Sequence, residues 1–194
     1  LDHHGYRRWM SMDNIVDIIM PRTGALDEID QGRAVGDFRM CSSIDDVRAR
    51  LDRLASDPTP TFVWSLPQDV HVAVLNREGN TPIDSAGYDS FYPPYASRVR
   101  RFDACFGGFV NDLKARGLYD DSLIVVTSDH GDSLGEEGRW GHAYTLFPEV
   151  VQVPLLVHLP ASARGGLETN PDALAFTPDL TPTLHALLGH TVTP

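Results

Sequence analysis

Cysteine is scarce in this chain of 194 residues: Cys41 and Cys105 are the only two. So small a number excludes the disulfide framework of small secreted domains, and the wide separation excludes a zinc site built on cysteine pairs. Cys105 falls on an apolar helical face, where core packing is its expected role. The pair gives no reading of the redox compartment. Positive charge is also in short supply. Lys and Arg total 16 against 27 Asp and Glu, a formal net charge of −11, which argues against nucleic acid or an anionic membrane as a main partner. An anionic substrate stays compatible with that charge, because a bound divalent cation reverses the sign locally. No apolar run approaches the roughly 20 residues that span a bilayer, so no membrane contact is expected from this segment. Repeats and low-complexity tracts are absent. The first residues, Leu1-Asp2-His3-His4-Gly5, lack an initiator Met and a signal-peptide pattern; the start reads as a cut within a longer gene product.

What remains is an ordinary globular composition, 42% hydrophobic and 22% charged, and a length that fits one domain over 1–194 with a substantial core. Residues 1–42 show weak periodicity and are expected to be irregular. Ser43 followed by Asp46 resembles a capping signal, and Ile44, Val47, Leu51 and Leu54 mark one face of a helix. Asp57-Pro58-Thr59-Pro60 breaks it, and Phe62–Leu66 reads as a short buried strand. Residues 76–94 are loop-like. Tyr95, Val99, Phe102, Phe106, Phe109 and Leu113 then step by four and three along a helix that Gly117 stops. Leu123–Thr127 is a continuous apolar strand of the kind buried on both faces in a parallel sheet. A polar, Gly-rich stretch from Ser128 to His142 follows. Leu155–Leu159 is another strand, and Thr181-Pro182 opens a helix with Leu184, Leu187 and Leu188 inside and Gly189 after it. Strands alternating with helices predict an α/β layered domain.

Ligands of open α/β sheets bind beyond the carboxyl ends of the strands, and Asp129 and His130 stand there, just past Thr127. Together they offer one hard oxygen and one nitrogen ligand, while Gly131 lets the backbone turn without a side chain in the way. Two ligands are fewer than a catalytic metal needs. His142 follows a loop long enough to fold back over the same place, either as an imidazolium holding an anionic oxygen or as a neutral metal ligand. Taken alone, Asp-His-Gly is a common turn with an Asp cap. His158 within a strand reads as a satisfied core histidine. His185 and His190 read as surface, His3 and His4 as a weak terminal metal site or nothing, and Glu136 and Glu137 as a solvated loop face.

The ordered combination says more. The run Gly117-Leu118-Tyr119-Asp120-Asp121-Ser122-Leu123-Ile124-Val125-Val126-Thr127-Ser128-Asp129-His130-Gly131 resembles the stretch carrying the second metal-binding pair in sulfatases of the alkaline phosphatase superfamily. Gly141-His142, Phe147–Val157 and Pro178–Gly189 continue the resemblance, the last being similar to the family's Asp-x-x-Pro-Thr-Leu helix. Upstream, Asp69-Val70-His71 resembles the Asp-x-His whose histidine faces the substrate. The resemblance covers roughly 60–194 and is that of the C-terminal part of a catalytic domain. It implies an incomplete alkaline-phosphatase-like layered sandwich, with a mostly parallel central sheet flanked by helices. It implies that Asp129 and His130 bind one divalent ion, calcium or manganese first and magnesium or zinc after them. His142 and His71 would contact the oxygens of a small anionic ester, and the protein would be extracytoplasmic or periplasmic.

The departures are equally specific. Cys41 is followed by Ser42-Ser43-Ile44-Asp45, without the Pro and Arg that follow a sulfatase nucleophile, and no paired N-terminal aspartates stand in a matching context. His71 lacks the usual following Pro. His130 stands where Asn is common, which shifts metal preference towards manganese or zinc. The expectation is a sulfuric ester hydrolase in a longer parent, partnered by the missing N-terminal part of the same protein, with this segment inactive alone. The alternatives are phosphoester or phosphonate hydrolysis, phosphoglycerol or phosphoethanolamine transfer, and a non-catalytic module that kept the fold.

Overall fold

The computed structural model describes residues 5–13, 28–33, 40–54, 57, 59–75, 92–143, 145–167, 170 and 172–189. His3, His4, His190 and most of the loop expected over 76–94 lie outside them. Contacts group the chain into two compact units, one of Leu1–Asn111 with Asp132–Gly141 and one of Asp112–Gly131 with His142–Pro194.

The first unit is built on a parallel sheet in the order β2-β1-β3, with β1 Arg7–Asp13, β2 Glu28–Arg33 and β3 Thr61–Ser65. Two of these strands lie within the stretch expected to be irregular. The reason is physical. Trp9, Met10 and Ser11 are consecutive and all buried, so β1 is covered on both faces and shows no polar–apolar alternation to read. β2, Glu-Ile-Asp-Gln-Gly-Arg, is mostly polar and carries no strand signal.

Helix α1, Met40–Leu54, turns Ile44 and Val47 into the core. It begins ahead of the expected Ser43 cap, and Ser43 is itself buried. The Arg50 guanidinium lies 3.9 Å from the centre of the Trp9 ring, a cation–π contact that fastens α1 to β1. After β3 comes α2, Asp69–Leu75, with Val72, Ala73 and Val74 buried, and then the long α3, Pro93–Ala115. Phe102, Phe106 and Phe109 form its aromatic ladder, with centroids 6.3 and 6.4 Å apart. Gly117 ends it in a left-handed conformation, φ +70°. Cys41 and Cys105 form a disulfide joining α1 to α3. Cys105 is therefore a cross-link and not merely a packing residue, a pairing that sequence separation hid.

In the second unit β4, Ile124–Thr127, pairs antiparallel with β7, Leu155–His158. A parallel, doubly buried strand was expected here. Among the described residues this is a two-stranded sheet, and Leu155, Leu156 and Val157 are all exposed. The short helix α4, Pro148–Val151, precedes β7. Helix α5, Leu180–Leu187, keeps Leu184, Leu187 and Leu188 as its less exposed face and is followed by Gly189 at φ +74°. The stretch expected as a plain polar loop contains a small antiparallel hairpin belonging to the first unit, β5 Ser133–Leu134 and β6 Trp140–Gly141.

Candidate active site

In the second unit β4 delivers Ser128, Asp129 and His130 just past its carboxyl end. The Ser128 hydroxyl donates to the His130 carbonyl at 2.6 Å, and the His130 backbone N–H donates to Asp129 Oδ1 at 3.1 Å. One carboxylate oxygen thus orders the turn. The other, Oδ2, lies 3.8 Å from His130 Nε2. His130 Nδ1 is 2.9 Å from the Gly131 carbonyl oxygen. A carbonyl only accepts, so Nδ1 carries the proton and Nε2 the lone pair.

Gly131 is required for a reason other than a positive φ. Its N–H donates to the Val150 carbonyl at 2.7 Å, and a Cβ built on it would collide with the Glu149 carbonyl oxygen. The Asp-His-Gly turn is thereby pressed backbone to backbone onto α4. The His142 ring lies against the His130 ring, centroids 3.9 Å apart at 37°. The structure thus brings Asp129, His130 and His142 together.

The donor set suits a divalent cation. Two ligand atoms on one ion stand about 3–4 Å apart, given metal–ligand distances of roughly 2.0–2.6 Å. Asp129 Oδ2 and His130 Nε2 meet that spacing at 3.8 Å. The Nδ1–H donated to a carbonyl is the outer-shell bond that fixes a metal-binding histidine in its tautomer.

His71 belongs to the first unit, in the opening turn of α2, which follows β3. Its Nδ1 is 3.6 Å from Asp132 Oδ2. Tyr95 of α3 is close enough to feel the same carboxylate: burial, and then Asp132, push its phenol pKa up. Asp132 went unmarked in the sequence. It directly follows Asp-His-Gly, yet a lone aspartate in a polar stretch has no period, and only the fold brings it to His71.

The other histidines have structural explanations where they are described. His158 donates from Nδ1 to the Ser122 carbonyl at 3.0 Å, and its Nε2 meets Arg164 at 2.8 Å. Arg164 continues to Asp120 at 2.9 Å. His185 is exposed, as are Glu136 and Glu137. Glu137 pairs with Arg139 at 2.6 Å.

Known proteins sort the fold and the motif in turn. The lipoteichoic acid synthase LtaP from Listeria monocytogenes superposes with a TM-score of 0.71 at 18% identity, over 99% of this chain and 52% of that one. The fold is accordingly alkaline-phosphatase-like, an incomplete α/β arrangement. Within that class the Sulfatase family profile matches residues 2–190. The chain belongs to the Sulfatase family. The choline-sulfatase of Rhizobium meliloti is 36% identical over 99 residues, 49% of this chain and 18% of that protein. The lipoteichoic acid synthase-like YvgJ of Bacillus subtilis is 26% identical over 180 residues, 83% of this chain and 29% of that protein. The chain thus spans about half of the solved structure and less than a third of either curated relative.

Proposed function

We propose that this chain is the metal-holding part of a sulfuric ester hydrolase acting on a small anionic ester. The observation that carries the reading is the pairing of Asp129 Oδ2 with a tautomer-fixed His130 Nε2 at 3.8 Å, beyond the carboxyl end of a strand. Asp129 and His130 hold one divalent cation. The mixed oxygen and nitrogen donors suit manganese, with calcium next and magnesium or zinc behind them. When bound, such an ion polarises the ester and favours the deprotonated nucleophile. The residues of this chain bind and orient. Asp129 and His130 fix the position of the charge, and the Gly131 contact with α4 keeps that turn from shifting. His142, against the His130 ring, and His71 contact the sulfuryl oxygens, where negative charge gathers during transfer.

Covalent catalysis needs a nucleophile, and no residue here matches the family's segment. Cys41 is engaged with Cys105. The nucleophile and the remaining metal ligands are assigned to polypeptide outside these 194 residues, an N-terminal part of the same protein. Two observations favour that partner: the exposed Leu155–Val157 strand and the length of LtaP, of which this chain covers 52%. The disulfide supports an extracytoplasmic setting, since such bonds persist in oxidising compartments. Among the described residues no helix is long and apolar enough to cross a membrane.

A second reading, transfer or hydrolysis of a phosphoester, is favoured by the YvgJ alignment over 83% of the chain. An assay of the natural full-length protein with an aryl sulfate and an aryl phosphate ester, with manganese, separates them. Sulfate turnover abolished by Asp129→Ala is expected, with residues 1–194 alone inactive on both. Phosphate turnover alone supports the second reading, and no turnover of either supports a non-catalytic module.

A further inference from the structure

The hairpin β5–β6 does more than cross the first unit. Ser133 pairs with Gly141 and Leu134 with Trp140. The Trp140 indole N–H donates to the Val74 carbonyl of α2 at 3.0 Å, and its ring meets Tyr92 edge-on at 4.9 Å. A Cβ on Gly141 would sit 4.0 Å from Val74 Cγ1, so this strand lies close against α2. Ser133, at the start of the hairpin, is 2% exposed. Asp132 immediately precedes it, and its side chain is 7% exposed against 27% for His71. A carboxylate is therefore carried by a clamped hairpin to a histidine of the helix that clamps it. Val72, Ala73 and Val74, buried beside His71, fix the other partner.

We infer that Asp132 is a positioning residue for His71, holding the proton on Nδ1 and assigning Nε2, on the opposite edge of the ring, to the ester. The inference rests on the reading of His71 as a substrate contact. An ionised carboxylate only accepts hydrogen bonds. The ring nitrogen that faces it must then be the one bearing hydrogen, which sets the tautomer. The 3.6 Å separation is longer than a hydrogen bond, and a small rotation of either side chain closes it. A ring free to rotate would present either nitrogen to the site. With Nδ1–H directed at Asp132, Nε2 is the atom turned the other way, and orientation of the ring is what the carboxylate supplies. Positioning of this kind contributes through orientation. Tyr95, whose phenol pKa burial and Asp132 raise, stays a neutral neighbour on the α3 side.

The test is the ring nitrogen spectrum of His71 in the natural full-length protein, read by long-range proton–nitrogen NMR. In the wild type the neutral ring should be the Nδ1–H tautomer. Asp132→Asn, whose amide can face the ring with either its oxygen or its NH₂ group, should convert that single form into a mixture. The Trp140 indole N–H, donated to the Val74 carbonyl within the same unit, should keep its resonance and so report an intact fold. A wild-type His71 protonated on Nε2 overturns the inference even if no variant folds. A His71 tautomer indifferent to Asp132→Asn, with the Trp140 indole resonance unchanged, overturns it as well. Inorganic sulfate added to the wild type then tests the other reading separately. A shift at His71 Nε2 supports substrate contact. A single Nδ1–H tautomer that sulfate leaves untouched keeps the role of Asp132 and removes His71 from the substrate.

Discussion

Gly131 has no room for a side chain, because the Glu149 carbonyl occupies the place of its Cβ. Gly131→Ala should therefore cost about 1–3 kcal/mol by forced backbone displacement, read as a fall in the denaturant midpoint. It should also weaken metal binding, since Asp129 and His130 ride on that turn. Two histidines make a paired test. In the full-length protein His142→Ala should lower kcat on the order of 10²-fold, a typical loss for one electrostatic contact, with little effect on folding. His158→Ala should leave the chemistry alone and cost about 1–2 kcal/mol, because it removes bonds to Ser122 and Arg164. Full kcat in the first variant with loss in the second would place the site on the wrong histidine. Asp57 offers a pH test remote from any chemistry. Hydrogen bonds from the Thr59 hydroxyl and backbone N–H, then from Arg7, hold its carboxyl at about 2 against an ordinary 3.8. The folded state binds this proton less well than the unfolded one. The stabilisation is thus complete above the ordinary value and lost as pH falls from there through about 2. Thr59→Ala should move the Asp57 midpoint upward in a carboxyl NMR titration; an unmoved midpoint would contradict the assignment.

Among the elements, the Cys41–Cys105 bridge is the one long-range covalent tie, closing a sequence separation of 64 between α1 and α3. Replacing both cysteines by serine should lower stability by about 2–4 kcal/mol, the usual range for such a loop, measured by equilibrium unfolding. Helices α1, α3 and α5 were legible because one face of each repeats at helical spacing, and β3 and β7 because each is a compact apolar run. β1 was not, because Trp9-Met10-Ser11 is buried on both faces and interrupted by a polar residue. The disulfide was not, because nothing local in a sequence says which helices will lie side by side. Asp129, His130 and His142 were legible from the ordered motifs, and the structure groups them. Asp132 became visible only through its contact with His71.

The whole molecule is a Sulfatase-family chain whose second unit leaves an apolar strand, Leu155-Leu156-Val157, exposed. Strands with this composition are ordinarily buried on both faces, which fits the proposal that further polypeptide covers them. The two metal ligands proposed from this chain are below the number that holds a catalytic ion tightly. Asp129 and His130 are nonetheless proposed as the local seat of that ion. Calorimetric titration of manganese into the 194-residue chain tests it most directly. A single site weaker than micromolar should appear, and it should disappear in Asp129→Ala and in His130→Ala. Sub-micromolar binding that survives Asp129→Ala would contradict it.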